Sequence, residues 1–502
     1  MLFRDKICAV AAAEDADSML SQVQRALRLT KTVELRLDWL SGDAEIDLFL
    51  KRLAAKKAHA TFIATCRRRA AGGRYRGSIA KQLVQLGAAL RAGCSWYDLE
   101  IETARNCPAE LLRVLLGQGK HLASAHFFRG MPPNLNRVAA ELSRMRPDAI
   151  KIAAQCNTLA ETLKLLHLAH GRKNVVVVPM GESALPGRVL ALRAGSALAY
   201  SAVENATAPG QVSFERMKDA YRADHLTGKT RVYGVIGDPI GHSLSPVIQN
   251  AGFQARKMDA VFLPFLVRDL KDFLRAVKPL GIAGISVTLP HKQAILRDLN
   301  GCDPLAAAIG AVNTVVVRGG GKLYGYNTDY IGVLRALEKR IELRGSRVLI
   351  VGAGGAARAV AFALAQAGAS VCICARRPAK AKLLAKAVGG SAVLRESLRK
   401  EYFDAIVNAT PLGMHPLTDR SPLEARELNC RLVFDTIYRP RETKLLQLAK
   451  RRGIETVSGV EMFVAQGIAQ WEIWTGERAP EKIMRRAVMD ALVREEKGRK
   501  QR

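Results

Sequence analysis

From residue 6 to about 215 the chain alternates short apolar runs with longer stretches in which apolar residues recur at helical spacing. The strand-like runs fall at 6–11, 33–37, 61–66, 96–101, 121–126, 149–152, 175–179 and 197–203. Eight strand-then-helix units in this length predict a small α/β fold of the (β/α)8 TIM-barrel type, in which reactive side chains gather at the carboxyl ends of the strands. Around 221–231 the chain turns polar, with Asp224, His225, Gly228 and Lys229, before a fresh strand opens at Val232. This predicts a first domain at 1–222 and a linker at 223–230. Beyond it the pattern predicts a two-lobed unit: an α/β lobe at 231–331, completed by terminal helices within 460–502, and a Rossmann-type lobe at 332–459.

Composition narrows the class. A chain of 502 residues, 49% hydrophobic, is too long for one ordinary core and apolar enough for several. Its longest apolar stretches, 174–180 and 347–351, are of strand length, well short of the roughly 18 residues that span a membrane. The opening residues mix Arg4, Asp5 and Lys6 into a strand-like run, so cytoplasmic residence without a membrane partner is expected. The net charge of +31 is spread over both halves apart from a basic tail at 497–502, and no nucleic-acid motif accompanies it. A solvated basic surface that attracts anionic substrates is the reading favoured over nucleic-acid binding. Nine cysteines scattered from Cys8 to Cys430 suggest neither a disulfide framework nor a metal site.

Candidate chemistry then enters at two places in the first half. In Asp148-Ala149-Ile150-Lys151-Ile152-Ala153 a lysine interrupts an apolar strand, where its charge is costly unless paired or neutral. A neutral amine there can attack a ketone, and the resulting iminium acidifies the adjacent carbon. One strand earlier, Ser124-Ala125-His126-Phe127 places an imidazole on the same rim as candidate general base. Glu34 and Arg36 are expected along the second strand, Arg67 after the third, and Glu100 and Glu102 at the close of the fourth.

With Glu34-Leu35-Arg36-Leu37-Asp38, Thr65-Cys66-Arg67 and Ala208-Pro209-Gly210-Gln211, these strands resemble type I 3-dehydroquinate dehydratase over essentially the whole first half. The resemblance implies a Schiff base on Lys151, with His126 as general acid/base, and loss of water to give 3-dehydroshikimate. It further implies that Arg188, Gln211 and Thr207 take the substrate carboxylate while Glu34, Arg36 and Arg67 contact ring hydroxyls. A guanidinium suits a carboxylate because it offers two parallel hydrogen bonds. One position departs: Ala71 stands before Gly72-Gly73, where the family usually carries a glutamate that orients the histidine, leaving Glu100 and Glu102 as candidate substitutes.

In the second half, Val348-Leu349-Ile350-Val351-Gly352-Ala353-Gly354-Gly355-Ala356-Ala357 sets a glycine-rich turn between a strand and a helix. Backbone amides at such a turn can approach a pyrophosphate, which makes 352–356 a dinucleotide site. The next strand ends in Ala375-Arg376-Arg377 where an NAD site usually has an acidic residue about 20 positions on, so a 2′-phosphate and hence NADP is favoured, with Arg376 the main contact and Arg377 or Lys380 secondary.

Four motifs, Gly241-His242-Ser243-Leu244-Ser245-Pro246, Val287-Thr288-Leu289-Pro290-His291-Lys292, Gly310-Ala311-Val312-Asn313-Thr314 and Asn327-Thr328-Asp329, resemble shikimate dehydrogenase. The likeness continues through Asn408-Ala409-Thr410-Pro411-Leu412-Gly413-Met414, the Tyr438 loop and 459–466. It implies Lys292 as acid/base, Asp329 holding it and a ring hydroxyl, Ser243 and Ser245 on the carboxylate with Tyr438 close by, Asn313, Thr288 and Gln466 on hydroxyls, and Thr410 and Gly459 at the cofactor. Together the resemblances imply consecutive reactions, dehydration of 3-dehydroquinate and then NADPH-dependent reduction of 3-dehydroshikimate to shikimate. The alternative is a quinate or shikimate dehydrogenase whose barrel, altered at Ala71, serves as a scaffold. The number of subunits is left open.

Overall fold

The computed structural model describes residues 2–500 apart from 57–58, 114, 116 and 205–209. By their packing the residues fall into two compact units, Met1–Val232 with Asp259–Gly281 and Tyr233–Met258 with Ile282–Arg502. No helix among the described residues is long and apolar enough to cross a membrane.

The first unit is built on β1 (Ile7–Ala11), β2 (Thr32–Arg36), β3 (Thr61–Thr65), β4 (Trp96–Glu100), β5 (Lys120–Phe127), β6 (Ala149–Gln155), β7 (Val175–Met180) and β8 (Ala199–Ala202). They pair in parallel in the order β7-β6-β5-β4-β3-β2-β1-β8. At the remaining seam Ala197 N donates to Val175 O at 2.8 Å. The expected barrel is present, each strand overlapping the run that foretold it. Alternate residues of a strand face inward, and toward one end these are apolar: Val10, Ile63, Trp96, Leu122, Ala149 and Val176 join Phe3, Cys8, Leu198 and Tyr200 in a buried plug. Above the plug the inward positions turn polar, with Glu34, Thr65, Asp98, Ser124 and Lys151 all buried. One placement differs from expectation. Glu102 lies outside β4, on the short helix Ile101–Arg105 that follows it.

Two strands follow, β9 (Arg231–Gly237) and β10 (Ala260–Leu266). By packing, β10 and the helix Leu270–Leu280 belong to the first unit, where Asp272 accepts from Leu159 N at 2.8 Å. In the second unit β9 is joined by β11 (Ile282–Val287), β12 (Gly301–Cys302), β13 (Thr314–Arg318) and β14 (Lys322–Tyr326), in the order β9-β11-β13-β14-β12. The other sheet of this unit holds β15 (Arg347–Val351), β16 (Ser370–Cys374), β17 (Ser391–Ala392), β18 (Phe403–Asn408), β19 (Cys430–Asp435) and β20 (Glu455–Val457). It is wholly parallel with order β17-β16-β15-β18-β19-β20, the doubly wound arrangement whose topological switch lies between β15 and β18. Alternation explains why it is covered on both faces: Val348 and Ile350 pack with Ala357 and Val360 of the helix Gly355–Gln366, while Leu349 and Val351 pack with Leu445 and Leu446 on the other side. The helix Gly459–Thr475 packs on Ser245–Ala255, with Gln249 Nε2 donating to Gly467 O at 2.8 Å.

His121 on β5 is 5% exposed, stacks on Tyr97 with ring centroids 4.9 Å apart, and has no hydrogen-bond partner at either ring nitrogen among the described residues. Burial, opposed by Asp98 and Asp148, pushes its pKa down to about 4 from the ordinary 6.5. The neutral ring therefore stabilises the fold fully above pH 6.5, and that contribution is lost as the pH falls toward 4. Relative to wild type, His121→Phe should remove about 3 kcal/mol of this acid-induced loss, measured as denaturant midpoints across the window. Parallel pH profiles for the two proteins would refute it.

Candidate active sites

Lys151 rises from β6 into a cavity of about 270 Å³ whose lining includes Glu34, Arg36, Arg67, His126, Arg188, Tyr200 and Gln211. Its Nζ is ion-paired with Asp98, lies 3.5 Å from Glu34 Oε1 and 3.4 Å from Tyr200 Oη, and sits 4.6 Å from the centre of the Tyr200 ring. Both carboxylates face the amine, and such pairing offsets the cost of burying charge there. Asp98 is itself held by Arg67 Nη2 at 3.0 Å and Ser124 Oγ at 2.6 Å. Burial works against its charge, but Lys151 and Arg67 outweigh that and hold the carboxyl well below the usual range. Neither Asp98 nor Tyr200 belongs to a motif recognised in the sequence. The signal that locates Asp98 is period two, since it stands between Trp96 and Glu100 on the inward face of β4.

Arg36 lines the cavity while clamped by Asp38, Nε to Oδ1 at 2.9 Å and Nη2 to Oδ2 at 2.8 Å. Glu34 accepts from Thr65 Oγ1 at 2.8 Å, which aims it across the barrel toward the amine. Burial lowers the Arg188 pKa to about 10. Thr207 lies outside the described residues.

His126 stands at the end of β5, one strand from Lys151, its ring stacked against Phe128 at 6.0 Å between centroids. Burial first, then the charges of Arg67 and Lys151, push its pKa well below the ordinary value, so the ring is a neutral base near pH 7. Its Nδ1 is buried without a hydrogen-bond partner among the described residues. Neither candidate substitute for the missing carboxylate reaches it: Glu100 Oε1 accepts from Gln82 Nε2 at 2.9 Å and Arg68 N at 3.2 Å, and Glu102 Oε2 is likewise unpartnered. Ala71 is buried, and Gly72 beside it has a φ of +78° with a Cβ position that would fall on the Phe128 ring. The Phe128 ring, with the Gly72 turn against it, is therefore the neighbour that orients the imidazole by shape.

In the second unit Lys292 Nζ lies 2.6 Å from Asp329 Oδ2, both partly open to solvent. Asn313 Nδ2 donates to Asp329 Oδ1 at 2.8 Å and to Thr328 Oγ1 at 3.0 Å, while its Oδ1 accepts from Thr328 N at 2.7 Å. With its amide engaged at both ends and 2% exposed, Asn313 orients the carboxylate. Gln470, absent from the sequence candidates, supports it from below by donating to Asn313 O at 3.1 Å. Ser243 Oγ accepts from Ser245 N at 3.2 Å where the helix Ser245–Ala255 begins. Tyr438 stacks on Phe463 at 4.5 Å, and Arg439 beside it donates to His242 O at 2.7 Å and pairs with Glu495. Thr288 is half-buried, and Gln466 is buried with its Nε2 donating to Phe463 O at 2.9 Å.

The glycine turn fits a dinucleotide. Gly352 has a φ of +122°, and a Cβ there would meet Ala409 O at 2.8 Å, so only glycine lets β15 approach β18 at the switch point. Gly354 and Gly355 have open space where side chains would stand, Ala353 is half-buried and Ala356 exposed. The helix Gly355–Gln366 starts without a side-chain cap, leaving its first amides for an anion. Arg376 and Arg377, past the end of β16, are exposed. Thr410 is fixed by Asn408, whose Oδ1 accepts from Thr410 Oγ1 at 2.8 Å. Gly459 opens its helix against the Thr436 and Ile437 carbonyls, which a Cβ would strike.

Similarity to known proteins falls on four stretches of the chain. Residues 7–227 match the type I 3-dehydroquinase family, 235–315 the shikimate dehydrogenase substrate binding domain, 335–447 the shikimate/quinate 5-dehydrogenase family and 459–489 the shikimate 5′-dehydrogenase C-terminal domain. The chloroplastic bifunctional 3-dehydroquinate dehydratase/shikimate dehydrogenase of Arabidopsis thaliana is 33% identical, over 95% of this chain and 83% of that one. Shikimate dehydrogenase (NADP(+)) of Methanosarcina acetivorans is 45% identical, over 52% of this chain and 99% of that one. A crystal structure of a shikimate dehydrogenase in complex with NADP+ superposes with a TM-score of 0.50 at 38% identity, covering 53% of this chain and 96% of that one. Barrel, doubly wound unit and full-length similarity agree, and the chain belongs to the bifunctional 3-dehydroquinate dehydratase/shikimate dehydrogenase family.

Proposed function

We propose that the chain dehydrates 3-dehydroquinate to 3-dehydroshikimate in the barrel and reduces that product to shikimate in the second unit, with NADPH as the reductant. The observation that carries the reading is the buried Lys151–Asp98 pair beside a neutral His126, matched in the second unit by the Lys292–Asp329 pair. We assign 1–222 to the dehydratase, 223–230 to the linker, 231–331 with 460–502 to the substrate lobe and 332–459 to the cofactor lobe.

In the barrel, the lone pair of the Lys151 amine attacks the substrate ketone, and the carbinolamine then loses water to leave an iminium. Asp98 and Glu34 stand beside that nitrogen and stabilise the cation. His126 takes the acidified proton adjacent to the iminium carbon and returns it to the departing hydroxyl, and hydrolysis frees the amine. Net, one water is lost. Arg188, with Gln211 and Thr207, would hold the substrate carboxylate, while Glu34, Arg36 and Arg67 would face the ring hydroxyls.

In the second unit, a nicotinamide cofactor, when bound, would supply the hydride. Residues 352–356 would take its pyrophosphate, Arg376 and Arg377 its 2′-phosphate, and Thr410 and Gly459 would line its site. Lys292 delivers a proton to the oxygen of the ketone being reduced, and Asp329, oriented by Asn313, fixes the lysine. Ser243, Ser245 and Tyr438 would grip the carboxylate, with Thr288 and Gln466 on hydroxyls. All nine cysteines are free thiols, which suits a reducing compartment such as the cytoplasm. The unpartnered His126 Nδ1 favours one rival, a quinate or shikimate dehydrogenase with a barrel kept as a scaffold.

Given 3-dehydroquinate and NADPH, the purified chain should make shikimate; a protein that reduces 3-dehydroshikimate yet leaves 3-dehydroquinate untouched would establish the scaffold reading instead. Lys151→Ala should abolish dehydration and borohydride trapping while leaving reduction intact, and Lys292→Ala should cut reduction by about 10²–10⁴-fold while leaving dehydration intact. Because the His126 pKa is lowered, its base form persists as the pH falls, so dehydratase kcat/KM should stay level through 6.5 and drop only well below it. An inflection at or above 6.5 counts against His126 as the buried neutral base. Arg376→Glu should raise the KM for NADPH about 10-fold or more and leave that for NADH unchanged, whereas equal effects on both cofactors would remove the 2′-phosphate assignment.

A further inference from the structure

The helix Gly355–Gln366, whose amino terminus is the glycine turn, carries Arg358 on its first turn. That side chain leaves its own helix. Arg358 Nε donates to Ile309 O at 2.7 Å and Nη2 to Ala308 O at 3.4 Å, with the guanidinium 5.5 Å from the Phe362 ring centre. These two carbonyls end the helix Pro304–Ile309, and the cap residue Gly310 uses its N–H on Ala306 O and Ala307 O instead. A cation here satisfies carbonyls that the helix leaves open and complements its negative end.

Beyond Ile309 a short strap runs to the catalytic pair. Val312 N donates to Lys292 O at 2.8 Å, Asn327 Nδ2 donates to Ala311 O at 2.9 Å, and Asn313 Nδ2 reaches Asp329 Oδ1. A buried cluster of Ile309, Ala311 and Ala359, flanked by Phe362 and Tyr330, ties the same pieces together, and Tyr330 is the neighbour of Asp329. One side chain and one small core therefore join the helix behind the glycine turn to the backbone of Lys292 and the carboxylate of Asp329.

We propose that Arg358 is a positioning residue through which occupancy of the glycine turn by NADP+ sets the geometry of the Lys292–Asp329 pair, so that cofactor and substrate bind cooperatively. This rests on the reading of 352–356 as the cofactor site. Arg358 touches neither substrate nor reacting atoms; it holds the strap that does.

Calorimetric titration of shikimate, with and without saturating NADP+, tests it in wild type, Arg358→Met and Arg358→Lys of the full chain. In wild type NADP+ should tighten shikimate binding about 5-fold or more. Arg358→Met should reduce that factor to about 2-fold or less, with each ligand's affinity alone within about 3-fold of wild type, and Arg358→Lys, which keeps a cation and a donor, should restore part of it. Cooperative melting of the second unit reports that each variant is folded. Amide exchange adds a readout independent of turnover: NADP+ should protect 304–313 in wild type and fail to do so in Arg358→Met. If Arg358→Met loses its second unit's cooperative melting, the same comparison is read from Arg358→Lys, where a reduced factor supports the inference. Full coupling retained in the folded variants overturns it, as does a wild type that binds NADP+ without coupling. A wild type that binds no NADP+ at all overturns the cofactor-site reading and this inference with it.

Discussion

A lysine at the heart of a barrel must be neutralised, and most of the first unit's inward architecture serves that demand. Lys151, Arg67 and Arg36 face Glu34, Asp98 and Asp38, three cations against three anions, all buried. Each charge lies on or just beyond a different inward position, so the parallel register of β2, β3, β4 and β6 is what brings them into range. Buried pairs of this kind add little net stability, yet removing one partner strands the other and costs several kcal/mol. The apolar plug beneath excludes water from the pairs, which keeps their mutual attraction strong.

The second unit solves a similar problem with neutral groups. Asn313 spends every polar atom of its side chain on Thr328, Thr314 and Asp329, and Gln470 holds its backbone. The carboxylate of Asp329 is thus aimed before substrate arrives, and Lys292 inherits its position from that aim. Likewise Asp435 at the end of β19, pushed up to about 6 by burial, accepts from Thr443, Asn408 and Ile437 and so orders the loops that carry Thr410 and Tyr438. In both cases an amide or hydroxyl network converts a flexible loop into a fixed surface.

Strand positions were legible because period two and apolar runs are local properties, and the glycine turn was legible because a strand, tight turn and helix are contiguous in the chain. The ion pairing of Lys151 was not. Its partners Asp98 and Glu34 come from other strands, and only barrel closure reveals that the amine is paired. Glu102 followed a run of strand-like residues yet turned into the helix Ile101–Arg105, a boundary that propensity places only to within a few residues. Nothing local marks Arg358, since the carbonyls it caps lie far back in the sequence.

The His126 imidazole of the barrel stacks on the Phe128 ring, and no carboxylate among the described residues bonds its Nδ1. Such a support carries no charge for mobile ions to shield. Electrolyte that would loosen a histidine held through an ion pair leaves this one where packing puts it, so the orientation of the ring becomes a matter of steric fit and tolerates wide swings in ionic strength.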